Sequence, residues 1–298
     1  MTDFLQLCFA GLALGSTYAL VAFGFVVIHR ATGVINFAQG SIVALGAYLV
    51  YNAHQTWGLP FALAAVVGVL GTALLGIVVE RVLLRRMVGE PVFSVIMVTI
   101  GLLFVIDQAI TMIWGQDAQN LGDPWGIDTV TVGNIVMAVV DLWAIMLAFA
   151  VVGAFFLFFR YSNTGLAMRA VAVDEEAAMA RGISVRRVVA TAWAIAGAVA
   201  AIAGITLAAG PAALRPSIGL IALAAFPAMI LGGLDSPLGA VVGGVIIGLS
   251  QTLTAGYQPT HASWLGQDFQ AVMPYVVMIL ILMIRPYGLF GEKEVERL

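Results

Sequence analysis

Nine apolar runs dominate this chain, at roughly residues 8–28, 36–51, 61–83, 92–114, 134–159, 187–209, 217–233, 237–254 and 270–285. A helix that crosses the roughly 30 Å hydrocarbon core of a bilayer needs about 20 mostly apolar residues. Most of these runs approach that length. A water-soluble domain also needs a polar shell, for which about 25% charged residues is ordinary. Here 62% of the residues are hydrophobic and only 10% are charged, with a mean hydropathy of +1.05. Lipid is therefore the solvent for most of the surface. The sequence predicts an all-α, polytopic transmembrane helical bundle of about 8–9 membrane segments, forming a single domain over 1–298. The second, seventh and eighth runs are short and rich in glycine, which predicts broken or re-entrant helices. The opening "MTDFLQLCFAGLALG" lacks the basic stretch of a cleavable signal and is expected to be a retained first span.

Basic residues orient the bundle. Placing residue 30, the 80–90 turn, the 160–187 loop and the tail on one side collects 12 of the 13 lysines and arginines; only Arg215 falls outside. The opposite loops, "GQDAQNLGDPWGIDT" (115–129) and "AGYQPTHASWLGQDFQ" (255–270), contain neither lysine nor arginine. The expected orientation has the N-terminus outside, the C-terminus in the cytoplasm and an odd number of crossings. Trp57, Trp114, Trp125 and Trp264 fall near the outer ends, where interfacial aromatics belong.

Several chemistries lack their residues. One cysteine, Cys8, cannot form an internal disulfide, and His29, His54 and His261 have no metal-ligand spacing. A net charge of −3 is too small to imply nucleic acid. No G-x-x-x-x-G-K-[ST] loop or G-x-S-x-G elbow occurs, so neither nucleotide hydrolysis nor serine hydrolase chemistry is expected of the chain.

Against this background "RAVAVDEEAAMARGISVRR" (169–187) stands apart, with seven of the 29 charged side chains. Asp174, Glu175 and Glu176 near a helix start, Arg181 near its end and Gly182 as a stop follow the order that a helix dipole favours. Ala172, Ala177, Ala178 and Ala180 keep one side small, as a protein partner in close contact would require. A solvated connector fits the same composition.

Inside the spans, "TGVINFAQG" (32–40) puts Asn36 and Gln39 three apart on one helical face, between Gly33 and Gly40. With Phe37, these amides are candidates for a transport route or its gate, or for a packing hydrogen bond. Asp107 in "LFVIDQAITMIWG", beside Gln108, is the one acid well inside a predicted span and a candidate for a polar vestibule. Gly11 with Gly15, Gly239 with Gly243, and Gly244 with Gly248 have the spacing of close helix contact. Gly33, Gly40, Gly232 and Gly233 are further packing or hinge candidates.

The stretch "GLALGSTYALVAFGFVVIHRATGVINFAQGSIVALGAYL" (11–49) resembles the N-terminal signature of the branched-chain amino acid ABC transporter permeases, the LivH-like family. Gly11, Gly15, Tyr18, Ala19, Leu20, Ala22 and Gly24 match its first helix. Gly33, Asn36, Phe37, Ala38 and Gly40 match the turn that follows. Three later blocks fit in order: "TGLAMRAVAVDEEAAMARGISVRRV", "AFPAMILGGLDSPLGAVVGGVIIG" and "RPYGLFGE". Asp107 departs from the uncharged polar residue often found there.

The resemblance implies a permease subunit in a bacterial inner membrane, working by alternating access. Its partners would be a paralogous LivM-like permease, two cytoplasmic LivG/LivF-like ATPases and an extracytoplasmic binding protein. ATP and magnesium would be held by the ATPases, with no cofactor in this chain. Residues 169–187 would form the coupling helix, with Arg169, Ala172, Asp174, Glu175, Ala178, Arg181 and Gly182 at the ATPase groove. The carried solute stays open among leucine, isoleucine, valine, other amino acids, urea and short amides. The competing expectations are a stand-alone secondary transporter or channel, for which one intramembrane acid and no clear repeat are poor equipment, and a non-transporting scaffold.

Overall fold

A computed structural model describes residues 2–87, 89–133, 135–210, 212–266 and 268–291. Lys293 and Arg297 of the basic face, Glu292 of the last signature block and Asn134 at the start of the fifth run lie outside them. Each of the nine apolar runs coincides with a helix. They are α1 (Thr2–Thr32), α2 (Gln39–Tyr51), α3 (Phe61–Val82), α4 (Val92–Trp114), α5 (Val139–Tyr161), α8 (Val185–Ala208), α9 (Ile218–Gly232), α10 (Pro237–His261) and α11 (Met273–Ile284). Between α5 and α8 lie two short helices, α6 (Asn163–Val173) and α7 (Glu175–Ala180). Among the described residues six helices (α1, α3, α4, α5, α8 and α10) are long and apolar enough to cross a membrane, and α9 and α11 are shorter apolar helices.

Three expectations need correction. The eighth run is not a short helix: α10 has 25 residues, because polar positions through His261 continue the turn beyond the apolar stretch. The ninth run is instead the short one. Residues 263–265 and 269–271 form separate 3₁₀ turns, which leaves α11 with 12 residues. The fifth run begins too early. Ile135–Ala138 (β2) pairs antiparallel with Thr129–Val132 (β1) around Gly133, whose φ of 64° few other residues adopt. The β-branched "TVTV" suits a strand, so the helix starts only at Val139.

Helix α1 is the central post. Leu20, Val21, Ala22, Phe23 and Val26 are all fully buried, as expected of a helix that is apolar all round. It packs against α8, α9, α10 and α5. The outer helices α3, α4 and α5 turn Leu70, Leu74, Phe104, Val105 and Phe149 outward, which in water would be a liability and in lipid is ordinary solvation.

Between apolar helices in lipid no hydrophobic force operates, so close backbone packing must supply the cohesion. Glycine provides it here. A Cβ added at Gly15 would stand 2.8 Å from the Gly244 carbonyl oxygen, and one at Gly248 would run into the backbone of Gly15 and Gly11. Likewise Gly46 of α2 lies against Ala201 of α8, where a Cβ would come within 2.5 Å of Cα, and Gly76 of α3 lies against the Trp193 carbonyl. Gly232 and Gly239 face each other across the α9–α10 turn, and Gly243 abuts Ala228. Gly232, Gly239 and Gly243 thus each stand at a close backbone approach. Replacing Gly248 with leucine should cost about 1–3 kcal/mol or more, seen as a lower melting temperature and a reduced monodisperse fraction in detergent. Gly101→Ala, where a Cβ meets nothing within 4 Å, should behave as the parent.

Candidate functional site

The charged segment folds as an elbow. Ser162 caps α6, its Oγ accepting a hydrogen bond from the Gly165 amide at 2.8 Å. At Asp174 the backbone leaves the helix (φ −158°, ψ 108°), and its Oδ1 accepts from the Ala177 amide at 2.9 Å, opening α7. Glu175 and Glu176 lie in that first turn, at the positive end of the dipole. Arg181 follows the last turn. Gly182, at φ 81°, closes it while the Ile183 amide reaches back to the Ala178 carbonyl at 3.1 Å.

The small face expected from four alanines is not one surface. The break at Asp174 puts Ala172 on α6, and Ala178 points into the bundle at 4% exposure, whereas Ala172, Ala177 and Ala180 are exposed. Exposed Val173 and Met179 give the elbow an apolar tip flanked by Asp174, Glu175 and Glu176.

Arg169 does not belong to that tip. Its guanidinium donates to the Phe159 and Arg160 carbonyls at the end of α5 and lies 5.3 Å from the Phe159 ring centre. Arg30 of α1 approaches the same ring at 4.9 Å. Phe159 thus connects the elbow to the central post. One residue before Arg30, the His29 Nδ1 contacts Asp235 Oδ1 at 3.1 Å, tying α1 to the α9–α10 turn.

The hydrogen bond from His29 is the main influence holding the Asp235 carboxyl below its ordinary range, aided by the nearby Arg30 charge and opposed by partial burial. A carboxyl whose pKa is depressed on folding contributes stability above its unfolded pKa and loses it as pH falls through the folded one. Asp235→Asn should therefore be less thermostable than the parent at neutral pH. The two melting curves should converge once pH falls below the ordinary carboxylate range.

A second pair escaped the sequence reading. Glu80, at 2% exposure near the end of α3, accepts from Arg85 Nη2 at 3.1 Å and from Nε at 3.3 Å. At spacing i, i+5 with a helix end between them, these residues carry no periodic signal.

The passage candidates separate into two places. Asn36 is not on a helical face; it lies in the turn before α2, with its Oδ1 accepting from the Ala38 amide at 3.1 Å. Its Nδ2 donates to Gln39 Oε1 at 3.4 Å, and Gln39 Nε2 donates to the Ala196 carbonyl on α8 at 3.2 Å. Both amides are fully buried and partnered, and Gln39 fills the gap left by Gly24 of α1. The Phe37 amide donates to Thr99 Oγ1 of α4 at 3.3 Å, and its ring stacks on Phe226. Gly40 packs against Gly219, and Gly33, at φ 68°, turns the chain from α1 into this corner.

Asp107 and Gln108 are elsewhere, eight residues past Thr99 and so about 12 Å farther along α4. Asp107 Oδ1 is buried without a hydrogen-bond partner among the described residues, and Gln108 is exposed.

The far end of α2 is capped by two loops remote in sequence. Gln119 and Leu214 exchange two backbone hydrogen bonds of 2.9 Å. Tyr51 donates to Gln119 Oε1 at 3.0 Å, and Asp123 Oδ1 accepts from the Gly210 amide at 3.0 Å. Beneath this cap the Tyr48 and Trp114 rings lie 5.2 Å apart, and among the described residues neither the hydroxyl nor the indole nitrogen has a hydrogen-bond partner.

Residues 7–282 match the family model described as branched-chain amino acid transport system / permease component. The chain belongs to this family of branched-chain amino acid transport permeases. It is 31% identical to the high-affinity branched-chain amino acid transport system permease protein LivH of Escherichia coli (strain K12), over 99% of this chain and 97% of that protein. With the permease protein BraD of Pseudomonas aeruginosa it shares 28% identity, over 99% and 98% of the two chains. Among solved structures, PsaBC from Streptococcus pneumoniae in complex with Fab superposes with a TM-score of 0.52 at 14% identity, over 96% of this chain and 94% of that one. That likeness is one of fold. Permeases of this family are transport subunits rather than enzymes, and this one is a multi-pass membrane protein.

Proposed function

We propose that the chain is the membrane-spanning permease of an ATP-driven importer for branched-chain amino acids, coupled through residues 169–187 to cytoplasmic ATPases. The observation that carries the reading is the elbow. Its exposed tip is opened by the Asp174 cap and closed by the Ile183–Ala178 backbone bond, and it is tied back through Arg169 and Phe159 to α1. A lever of that construction passes displacement at the tip into the bundle. Fuel must come from elsewhere, since the sequence has no phosphate-cradling G-x-x-x-x-G-K-[ST] loop; ATP and magnesium belong to the ATPase partners.

On this reading Ala172, Asp174, Glu175, Arg181 and Gly182 meet the ATPase groove, whereas Arg169 and Ala178 anchor the elbow from behind. The basic face is cytoplasmic and the N-terminus is outside. A LivM-like second permease completes the passage, and an extracytoplasmic binding protein selects the solute. Asn36, Phe37 and Gln39 position the inner end of the route, and Asp107 with Gln108 lies along its outer half. A largely apolar passage suits leucine, isoleucine and valine side chains, which need no charge clamp.

Two substitutions test the elbow in proteoliposomes holding the whole complex. Asp174→Trp removes the α7 cap, and Gly182→Val forces a β-branched residue into φ 81°. Each should lower ATP-driven leucine uptake at least about tenfold, the scale of losing a cap and its docked contact, while the chain stays membrane-inserted. Unchanged uptake would remove the proposal. Uptake by the chain alone, driven by an ion gradient, would replace it with a secondary transporter.

A further inference from the structure

We propose that the arginine-rich end of α5 carries a binding site for an anionic phospholipid. A cavity of about 590 Å³ opens there, walled by Phe156, Leu157, Phe159 and Tyr161, with Arg160 and Arg169 at its rim. That volume falls within the roughly 300–1,000 Å³ typical of ligand clefts. Its wall is open to the surroundings, with Leu157 62% and Tyr161 74% exposed.

The lining also has a direction. Gly153, at the deep end, and Arg160 are seven residues apart on one helix, about 10 Å along its axis. The cavity therefore begins at hydrocarbon depth and ends at the level of the charges. An acyl chain surmounted by a headgroup has that profile.

Charge completes the argument. Among the described residues no carboxylate pairs with either rim arginine, whereas Arg85 elsewhere in the chain has Glu80. Arg160 contacts the ring of its neighbour Tyr161 at 5.6 Å, and Arg169 contacts backbone carbonyls and the Phe159 ring. Each leaves guanidinium donors available, and that planar fork matches a phosphate. Two uncompensated positive charges at an interface favour a lipid of net negative charge over a zwitterionic one. The site requires only that the chain sit in a membrane, so it stands apart from the transport role. A lipid held there would bridge the end of α5 to Arg169 of α6 and so brace the elbow.

The test uses the full chain in nanodiscs of phosphatidylcholine with phosphatidylglycerol at three to one, released into native mass spectrometry. The chain should retain phosphatidylglycerol in clear preference to phosphatidylcholine. Arg160→Gln should weaken that retention about fivefold, the value of one arginine–anionic-lipid contact. Arg160→Lys should keep most of it, and phosphatidylcholine should be unaffected in both. A photo-crosslinking residue at position 157, in the complete complex, should form its adduct with phospholipid. Equal retention of the two lipids, an Arg160→Gln chain that holds phosphatidylglycerol as well as the parent, or a crosslink from 157 to a second permease or an ATPase would each overturn the proposal. If Arg160→Gln fails to fold, the parent's lipid preference and the crosslink decide it.

Discussion

Contact between the backbones of α1 and α10 is what the rest of the fold depends on. Lipid offers apolar helices no reason to prefer each other over its own chains, so cohesion has to come from distance. Gly11, Gly15, Gly244 and Gly248 bring the two main chains within van der Waals reach along several turns. Once α1 has a fixed partner, α8 can lie against it, and α8 in turn holds α2 and α3 through Gly46, Gly76 and Gly204. The bundle is assembled from backbone against backbone, with side chains filling what remains.

Polar groups are then placed where the glycine contacts leave room. Gln39 occupies the space beside Gly24 and bonds to a carbonyl on α8, so one amide sets the relation of three helices. Glu80 is buried against Arg85, and the exposed Asp235 meets the more buried His29. Burying a polar or charged group is costly without such a partner, and both pairs lie at helix ends where the head groups can still approach water.

Periodicity and hydropathy made the helices legible, because each apolar run had to become one in a medium without water. The caps were also readable. Asp174 and Gly182 are residues whose chemistry starts and stops helices, and they do so here. What escaped was anything decided by partners far along the chain. Asn36 and Gln39 look like one helical face at spacing three, yet the first sits in a turn, because its carboxamide folds back on the Ala38 amide. The alanines of 172–180 look like one smooth side, but a single extended residue at 174 divides them between two helices. The end of α10 was hidden because its last turns, through Gln258, Thr260 and His261, are polar and carry no apolar pattern. The pairing of Gln119 with Leu214 spans most of a hundred residues and leaves no local trace.

That pairing has a mechanical meaning. Two strands of connecting chain, one leaving α4 and one leaving α8, are stitched together over the end of α2 by reciprocal amide–carbonyl bonds and by the Asp123–Gly210 contact. The end of α2 is fastened to the same stitch through Tyr51. Widening the bundle at this end therefore has two routes: unpick all three bonds together, or carry the two connections outward as a single hinged plate with α2 in tow.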